Sequence, residues 1–188
     1  MPMTVSGATE ESQNGEPALR RAIFLDRDGV INRNEVRDGR PHGPQSVEDF
    51  VILPGVGAAV AALRAAGYLV IVATNQPRVP PETLAAMHAK MRRFVPVDDI
   101  RICPHAETDN CACRKPKPGL LLEAARAHGI SLAQSWMVGD RWRDVEAGKA
   151  AGCRTVFIDH GYTNEPRPRD PDLVARSLLE AVPYLLGR

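Results

Sequence analysis

The segment AIFLDRDGVIN, Ala22 to Asn32, joins a short apolar run to two aspartates and a glycine. A run apolar at successive positions, rather than at alternate ones, suits a strand covered on both faces. Similar near-continuous runs follow at Tyr68–Ala73 (YLVIVA), Ile100–Cys103 (IRIC), Trp136–Val138 (WMV) and Thr155–Ile158 (TVFI). Amphipathic stretches lie between them. Val56, Val60 and Leu63 recur at helical spacing ahead of Gly67, and Pro81 to Phe94 opens on a proline and an acidic residue. Leu120 to His128 and Asp144 to Ala151 each close on a glycine, and Pro171 to Leu186 is expected to hold a fifth helix. This alternation predicts an α/β fold: a doubly wound, Rossmann-like parallel sheet with helices on both faces.

The 188 residues suit one domain with a substantial core. Residues 1–17 (MPMTVSGATEESQNGEP) are polar and small and read as a disordered tail, leaving 18–188 as a single domain. Lys and Arg number 24 against 23 Asp and Glu, a balance that argues against nucleic acid or an anionic membrane as the main partner. No apolar run reaches the length of a membrane span, and the opening segment lacks the apolar stretch of a signal peptide. The reducing cytoplasm is therefore the expected compartment, where clustered cysteines favour metal binding or catalysis over disulfides.

In doubly wound sheets, ligands bind beyond the carboxyl ends of the strands. The residues just past each apolar run therefore matter most. AIFL leads to Asp26-Arg27-Asp28-Gly29, and YLVIVA to Thr74-Asn75-Gln76. IRIC opens a cysteine cluster ending in Arg114-Lys115, and WMV leads to Gly139-Asp140-Arg141 with Asp144 close behind. Polar and chargeable groups thus reach one edge from four strands, which predicts one site.

Two carboxylates separated by one residue at a strand end can share a hard cation while one oxygen stays free to attack. Mg²⁺ suits such a site, since it prefers oxygen ligands and leaves room for water and phosphate. A carboxylate nucleophile fits phosphoryl transfer through an acyl phosphate that water then cleaves. Taken alone, each signal has a plainer reading: Asp-x-Asp-Gly as a turn, Thr74-Asn75 as capping, Arg114-Lys115 as a solvated loop, Asp140 as an N-cap. Their order along successive strands gives the joint signal its weight.

Together FLDRDGVIN, VATNQ, CRKPKPG and MVGDRWRD resemble the four motifs of the haloacid dehalogenase superfamily of phosphotransferases. The pattern C-x-H-x5-C-x-C directly before RKPKPG narrows the resemblance to its zinc-loop phosphatases, which include the heptose 1,7-bisphosphate 7-phosphatases and the histidinol-phosphatase domain. The match runs from about Arg21 to Ile158 and has no large cap insertion. The resemblance implies that Asp26 is the nucleophile and Asp28 the general acid and then base. It implies Mg²⁺ held by Asp26, Asp140 and the main-chain carbonyl of Asp28, with Thr74 and Lys115 on the phosphoryl group. Asn75, Gln76, Arg114 and Arg141 are candidates for substrate contact. The substrate implied is a small phosphorylated sugar, a heptose 1,7-bisphosphate losing its 7-phosphate, handled by a monomer. Histidinol phosphate is the main alternative. A polynucleotide 3′-phosphate, or a zinc-stapled binding module without catalysis, are further ones.

Cys103, His105, Cys111 and Cys113 form two clamps, C-P-H and C-A-C, each with its ligands facing one side of an extended segment. Three thiolates and an imidazole fill a tetrahedral structural Zn²⁺ shell and leave no open position. Cys153 stands apart and reads as a small core residue. Between the first two motifs, Arg33 to Phe50 departs from the heptose phosphatase pattern. There Arg33, Arg37, Arg40 and His42 either bind a second anionic group or form an ordinary solvated loop.

Overall fold

The computed structural model describes residues 19–187. The expected tail at 1–17 lies outside them. The central sheet is six-stranded and parallel, with strands β1 (Ala22–Leu25), β4 (Leu69–Asn75), β5 (Asp99–Cys103), β6 (Trp136–Gly139), β7 (Arg154–Ile158) and β8 (Leu173–Ala175). Their order is β5-β4-β1-β6-β7-β8. From β1 the chain winds outward to β4 and β5, then returns to β6 and winds the other way. The reversal opens a crevice at the carboxyl ends of β1 and β6, where such folds bind ligands.

Side chains alternate between two apolar layers. Ile23 and Leu25 face a layer with Val60 and Leu63 of α1 (Val56–Ala65), Met87 of α2 (Pro81–Arg92) and Leu178 of α5 (Leu178–Leu185). Ala22 and Phe24 face the opposite layer, with Leu121 and Ala124 of α3 (Gly119–His128) and Ala151 of α4 (Trp142–Ala151). Helices cover both faces, as the uninterrupted apolar runs require. Cys153 is buried in the second layer, and burial pushes its thiol up to about 12.

Two segments hold elements beyond those expected. The stretch from Pro171 divides into strand β8 and the shorter helix α5. Ser177 caps that helix, its Oγ accepting from the Glu180 amide at 3.1 Å, while the Glu180 carboxylate accepts from the Arg176 amide at 2.8 Å. This capping pair fixes the helix start beyond β8. The Arg33–Phe50 stretch contains a hairpin, β2 (Glu35–Arg37) and β3 (Arg40–His42). Asp38 and Gly39 both take positive φ, 50° and 73°, the conformation that a two-residue hairpin turn demands and that Asp-Gly supplies.

Candidate active site

Asp26 leaves the end of β1 with its amide bonded to the Val138 carbonyl of β6 at 2.9 Å. That bond places its side chain in the crevice between the two strands. Asp140 and Asp144 come from the end of β6 and the first turn of α4. Carboxylate oxygens of Asp26, Asp140 and Asp144 lie within 4.8 Å of one another, and all three residues are buried. Lys115 Nζ bridges two of them, donating to Asp26 Oδ1 at 2.8 Å and to Asp144 Oδ1 at 2.6 Å. Burial alone would pull the Lys115 ammonium down, but the flanking Asp144 and Asp26 charges push it above its usual range. Burial, with the charges of Asp144 and Asp28, raises Asp26 to about 6 against the pull of Lys115.

One ammonium among three buried carboxylates leaves negative charge uncompensated. Burial and the charges of Asp26 and Asp144 push the Asp140 carboxyl well above the usual range. Its Oδ2 accepts from Asn34 Nδ2 at 2.9 Å and from the Tyr162 hydroxyl at 2.8 Å, while the buried Oδ1 has no partner. A carboxylate cluster with a free buried oxygen, its charge only partly offset by Lys115, fits a hard divalent cation. Gly29 (φ 89°) passes so near that a Cβ there would overlap Asp140 Oδ2, so residue 29 must be glycine for both backbone and space.

Asp28 turns its carboxylate away from this trio. Arg27 grips it with two bonds, Nε to Oδ1 at 2.8 Å and Nη2 to Oδ2 at 3.2 Å, and Gln76 Nε2 donates to Oδ2 at 2.8 Å. Arg27 is itself fully buried, with Nη1 donating to His88 Nε2 at 3.4 Å. That bond makes Nε2 an acceptor and keeps the ring neutral. Burial and the Arg27 charge lower His88 to about 4.

Thr74 ends up buried beside the cleft, its Oγ1 accepting from Gln76 at 2.9 Å. Asn75 points at the main chain instead: its amide donates to the Lys115 carbonyl and accepts from the Lys115 amide, both at 3.1 Å. Arg114 donates to the His105 carbonyl at 3.0 Å, so its guanidinium is anchored to the cysteine loop. Arg141 is held by Glu165 through a two-pronged pair, at 2.8 and 2.7 Å.

In that loop, Cys113 Sγ lies 3.2 Å from Cys103 Sγ and 3.3 Å from Cys111 Sγ, and His105 Nδ1 lies 3.2 Å from Cys113 Sγ. All four cysteines are free, so no disulfide competes for the cluster. A tetrahedral zinc shell has sulfur–sulfur edges of roughly 3.8 Å, given Zn–S bonds of about 2.3 Å. The donor set suits that ion, and its sulfur–sulfur distances of 3.2, 3.3 and 3.6 Å lie a few tenths of an ångström inside those edges. Burial and the neighbouring sulfurs push the Cys113 thiol up to about 12.

A cleft of about 350 Å³ opens over Asp26, Asp28, Thr74 and Lys115. Its lining includes the basic Arg40, His42, Arg78, Arg114, Arg141 and Arg143 beside the acidic Glu107. Of the four loop residues weighed as an anion clamp, Arg40 and His42 line this cleft. Arg37 instead pairs with Glu35 on the exposed hairpin.

A family model described as HAD-hyrolase-like matches residues 112–181. The D-glycero-beta-D-manno-heptose-1,7-bisphosphate 7-phosphatase of Pseudomonas putida is 40% identical over 151 residues, covering 75% of this chain and 83% of that protein. The chain belongs to the phosphatases of the haloacid dehalogenase superfamily. The enzyme of the same name from Neisseria meningitidis serogroup A is 38% identical over 148 residues, covering 73% of this chain and 76% of that one. A crystal structure of D,D-heptose 1,7-bisphosphate phosphatase from B. bronchiseptica, complexed with magnesium and phosphate, superposes with a TM-score of 0.76. It is 35% identical and covers 89% of this chain and 98% of that one. This superfamily member is thus a phosphoric monoester hydrolase on a Rossmann-like frame.

Reading the sequence missed Arg27, Asn34, Tyr162 and Glu165. The last two come after the TVFI strand in DHGYTNE. The rule that located the other site residues, looking just past the end of each apolar run, would have found them at this fifth strand end. Arg27 was hidden in plain view between the two aspartates.

Proposed function

We propose that the chain is a Mg²⁺-dependent phosphomonoesterase that removes the 7-phosphate of a heptose 1,7-bisphosphate through an aspartyl-phosphate intermediate. Residues 18–188 form its one phosphatase domain, which acts as a cytoplasmic monomer on a small phosphorylated sugar. The observation that carries the chemistry is the Asp26–Lys115–Asp144 bridge beside the unpartnered Asp140 oxygen. Names of the relatives and the basic residues lining the cleft support the bisphosphate substrate.

Asp26 attacks phosphorus, and the bond to the leaving oxygen breaks as that oxygen takes a proton from Asp28. Water then attacks the acyl phosphate while Asp28, now a carboxylate, takes its proton, releasing inorganic phosphate and restoring Asp26. Arg27 and Gln76 hold the Asp28 carboxylate as an acceptor, a posture that suits this second step. Lys115 and Thr74 stabilise the phosphoryl oxygens. Asp26, Asp140 and the Asp28 main-chain carbonyl would hold Mg²⁺, with Asp144 beside them. When bound, Mg²⁺ supplies positive charge against the phosphoryl oxygens. Cys103, His105, Cys111 and Cys113 would hold a structural Zn²⁺ that stiffens the loop anchoring Arg114.

Phosphate release is to be measured side by side with heptose 1,7-bisphosphate, histidinol phosphate and an aryl phosphate, for the wild type and Asp26→Asn. Expected is a kcat/KM highest for the heptose bisphosphate and lowered by more than about 10³-fold in the variant. Preference for histidinol phosphate would move the substrate assignment. Equal rates in wild type and variant would remove the proposed chemistry altogether.

A further inference from the structure

The segment His160–Glu165, which comes after β7, reaches three separate parts of the site. The Tyr162 hydroxyl donates to Asp140 Oδ2 at 2.8 Å, and His160 Nε2 bonds the Gly29 carbonyl at 2.7 Å. Glu165 holds Arg141, the residue directly after Asp140, at 2.8 and 2.7 Å. On its outer side Asn164 latches to the hairpin: its amide donates to the Gly39 carbonyl at 3.1 Å, and Arg40 Nε donates to its carbonyl at 3.0 Å. Asn34, just before the hairpin, supplies the second donor to Asp140 Oδ2 and also donates to the Tyr162 hydroxyl at 3.2 Å.

This arrangement treats the two oxygens of Asp140 differently. Oδ2 is saturated by two neutral donors, whereas Oδ1 is buried and unpartnered. A carboxylate free to rotate would exchange its oxygens and spend time with neither aimed at a cation. The Tyr162 oxygen accepts from Asn34 Nδ2 at 3.2 Å, which leaves its own proton for Asp140 Oδ2. The tyrosine ring lies 5.5 Å from that of His160, tilted by 42° to it.

We propose that Tyr162 and Asn34 are positioning residues that lock the rotation of Asp140, so that Oδ1 alone is presented to the divalent cation. The segment His160–Glu165 works as a strap, tying that orientation to the hairpin whose Arg40 and His42 line the cleft. The inference rests on the proposed role of Asp140 as a cation ligand. Hydrogen-bonded partners of metal-ligating carboxylates typically change metal affinity by about 10- to 100-fold when removed.

The test is direct binding of Mg²⁺ alone, measured by calorimetry on purified protein without substrate, for wild type, Tyr162→Phe, Asn34→Ala, the double variant and Asp140→Asn. Phenylalanine keeps the ring beside His160 and removes only the donor. Expected is a Mg²⁺ Kd about tenfold weaker in Tyr162→Phe, with an unchanged melting temperature. Turnover should show the same split: the Mg²⁺ concentration for half-maximal rate rises while kcat at saturating Mg²⁺ stays within about twofold. Because both donors serve one oxygen, the double variant should lose less than the two single losses combined. A Tyr162→Phe Kd equal to wild type, alongside abolished binding in Asp140→Asn, overturns the strap and leaves the cation site intact. Wild-type binding in Asp140→Asn overturns both.

Discussion

Asp26 and Lys115 meet from 89 positions apart, whereas Cys103 and Cys113 meet from 10. The carboxylate cluster exists because β1, β6 and α4 pack into one frame, and its members are almost fully buried. The cysteine cluster starts from Cys103, buried at the end of β5, but the rest of it belongs to one loop, with His105 exposed and Cys111 and Cys113 only half-buried. Ligands brought together by a fold inherit the stability of its core. Groups brought together by a loop need something local to hold them, and three thiols with an imidazole have the composition of a structural metal shell.

The largest break in this contrast comes from Lys115→Met. It leaves Asp26 and Asp144 buried without their counter-charge, so unfolding in urea should show a loss of about 3–5 kcal/mol. Activity should fall by at least about 10³-fold in the same variant. A loss below about 1 kcal/mol would mean that the cluster does not draw on the core in this way.

A smaller effect tests how far that wiring extends behind the site. Buried His88 sits at about 4, below the ordinary 6.5. Between those values the unfolded chain binds more protons here than the folded one, so folding stability rises with pH across the window. The contribution is fully present above about 6.5, is lost as pH falls towards 4, and amounts to at most about 3 kcal/mol. His88→Gln should flatten the dependence between pH 4.5 and 7 relative to wild type. An unchanged slope would detach His88 from the stability of this region.

The smallest expected effect belongs to the cysteine loop. Removing zinc from the Zn²⁺-loaded protein with a chelator should speed amide exchange around the loop and lower kcat/KM about tenfold. Exchange of the β1 amides should not change. If β1 loosens as well, the two regions form one cooperative unit and the contrast fails.

The two regions also differed in how openly the sequence displayed them. Cys-x-His and Cys-x-Cys spacing is local chemistry, visible without any topology. The carboxylate site became legible only through the apolar runs, because buried parallel strands mark their own ends and the winding order brings those ends together. The hairpin escaped notice because Glu35–His42 is mostly polar and exposed, and Asp38-Gly39 was its only strong signal. Strand β8 is three residues long, too short for periodicity to register, and was absorbed into the helix after it. The partners of Asp140 were hidden for another reason. Tyr162 lay past a strand end that had not been followed, and Asn34, in the loop before the hairpin, carries no motif.

Asn75 closes the cysteine loop at both ends. As the last residue of β4 it stands in ladder register with Cys103, where the loop departs. Its side-chain amide matches the Lys115 peptide group donor for acceptor, where the loop returns. One residue thus gives the departure and the return of the loop a common anchor on the sheet, and the reach of Lys115 to the carboxylates starts from that anchor.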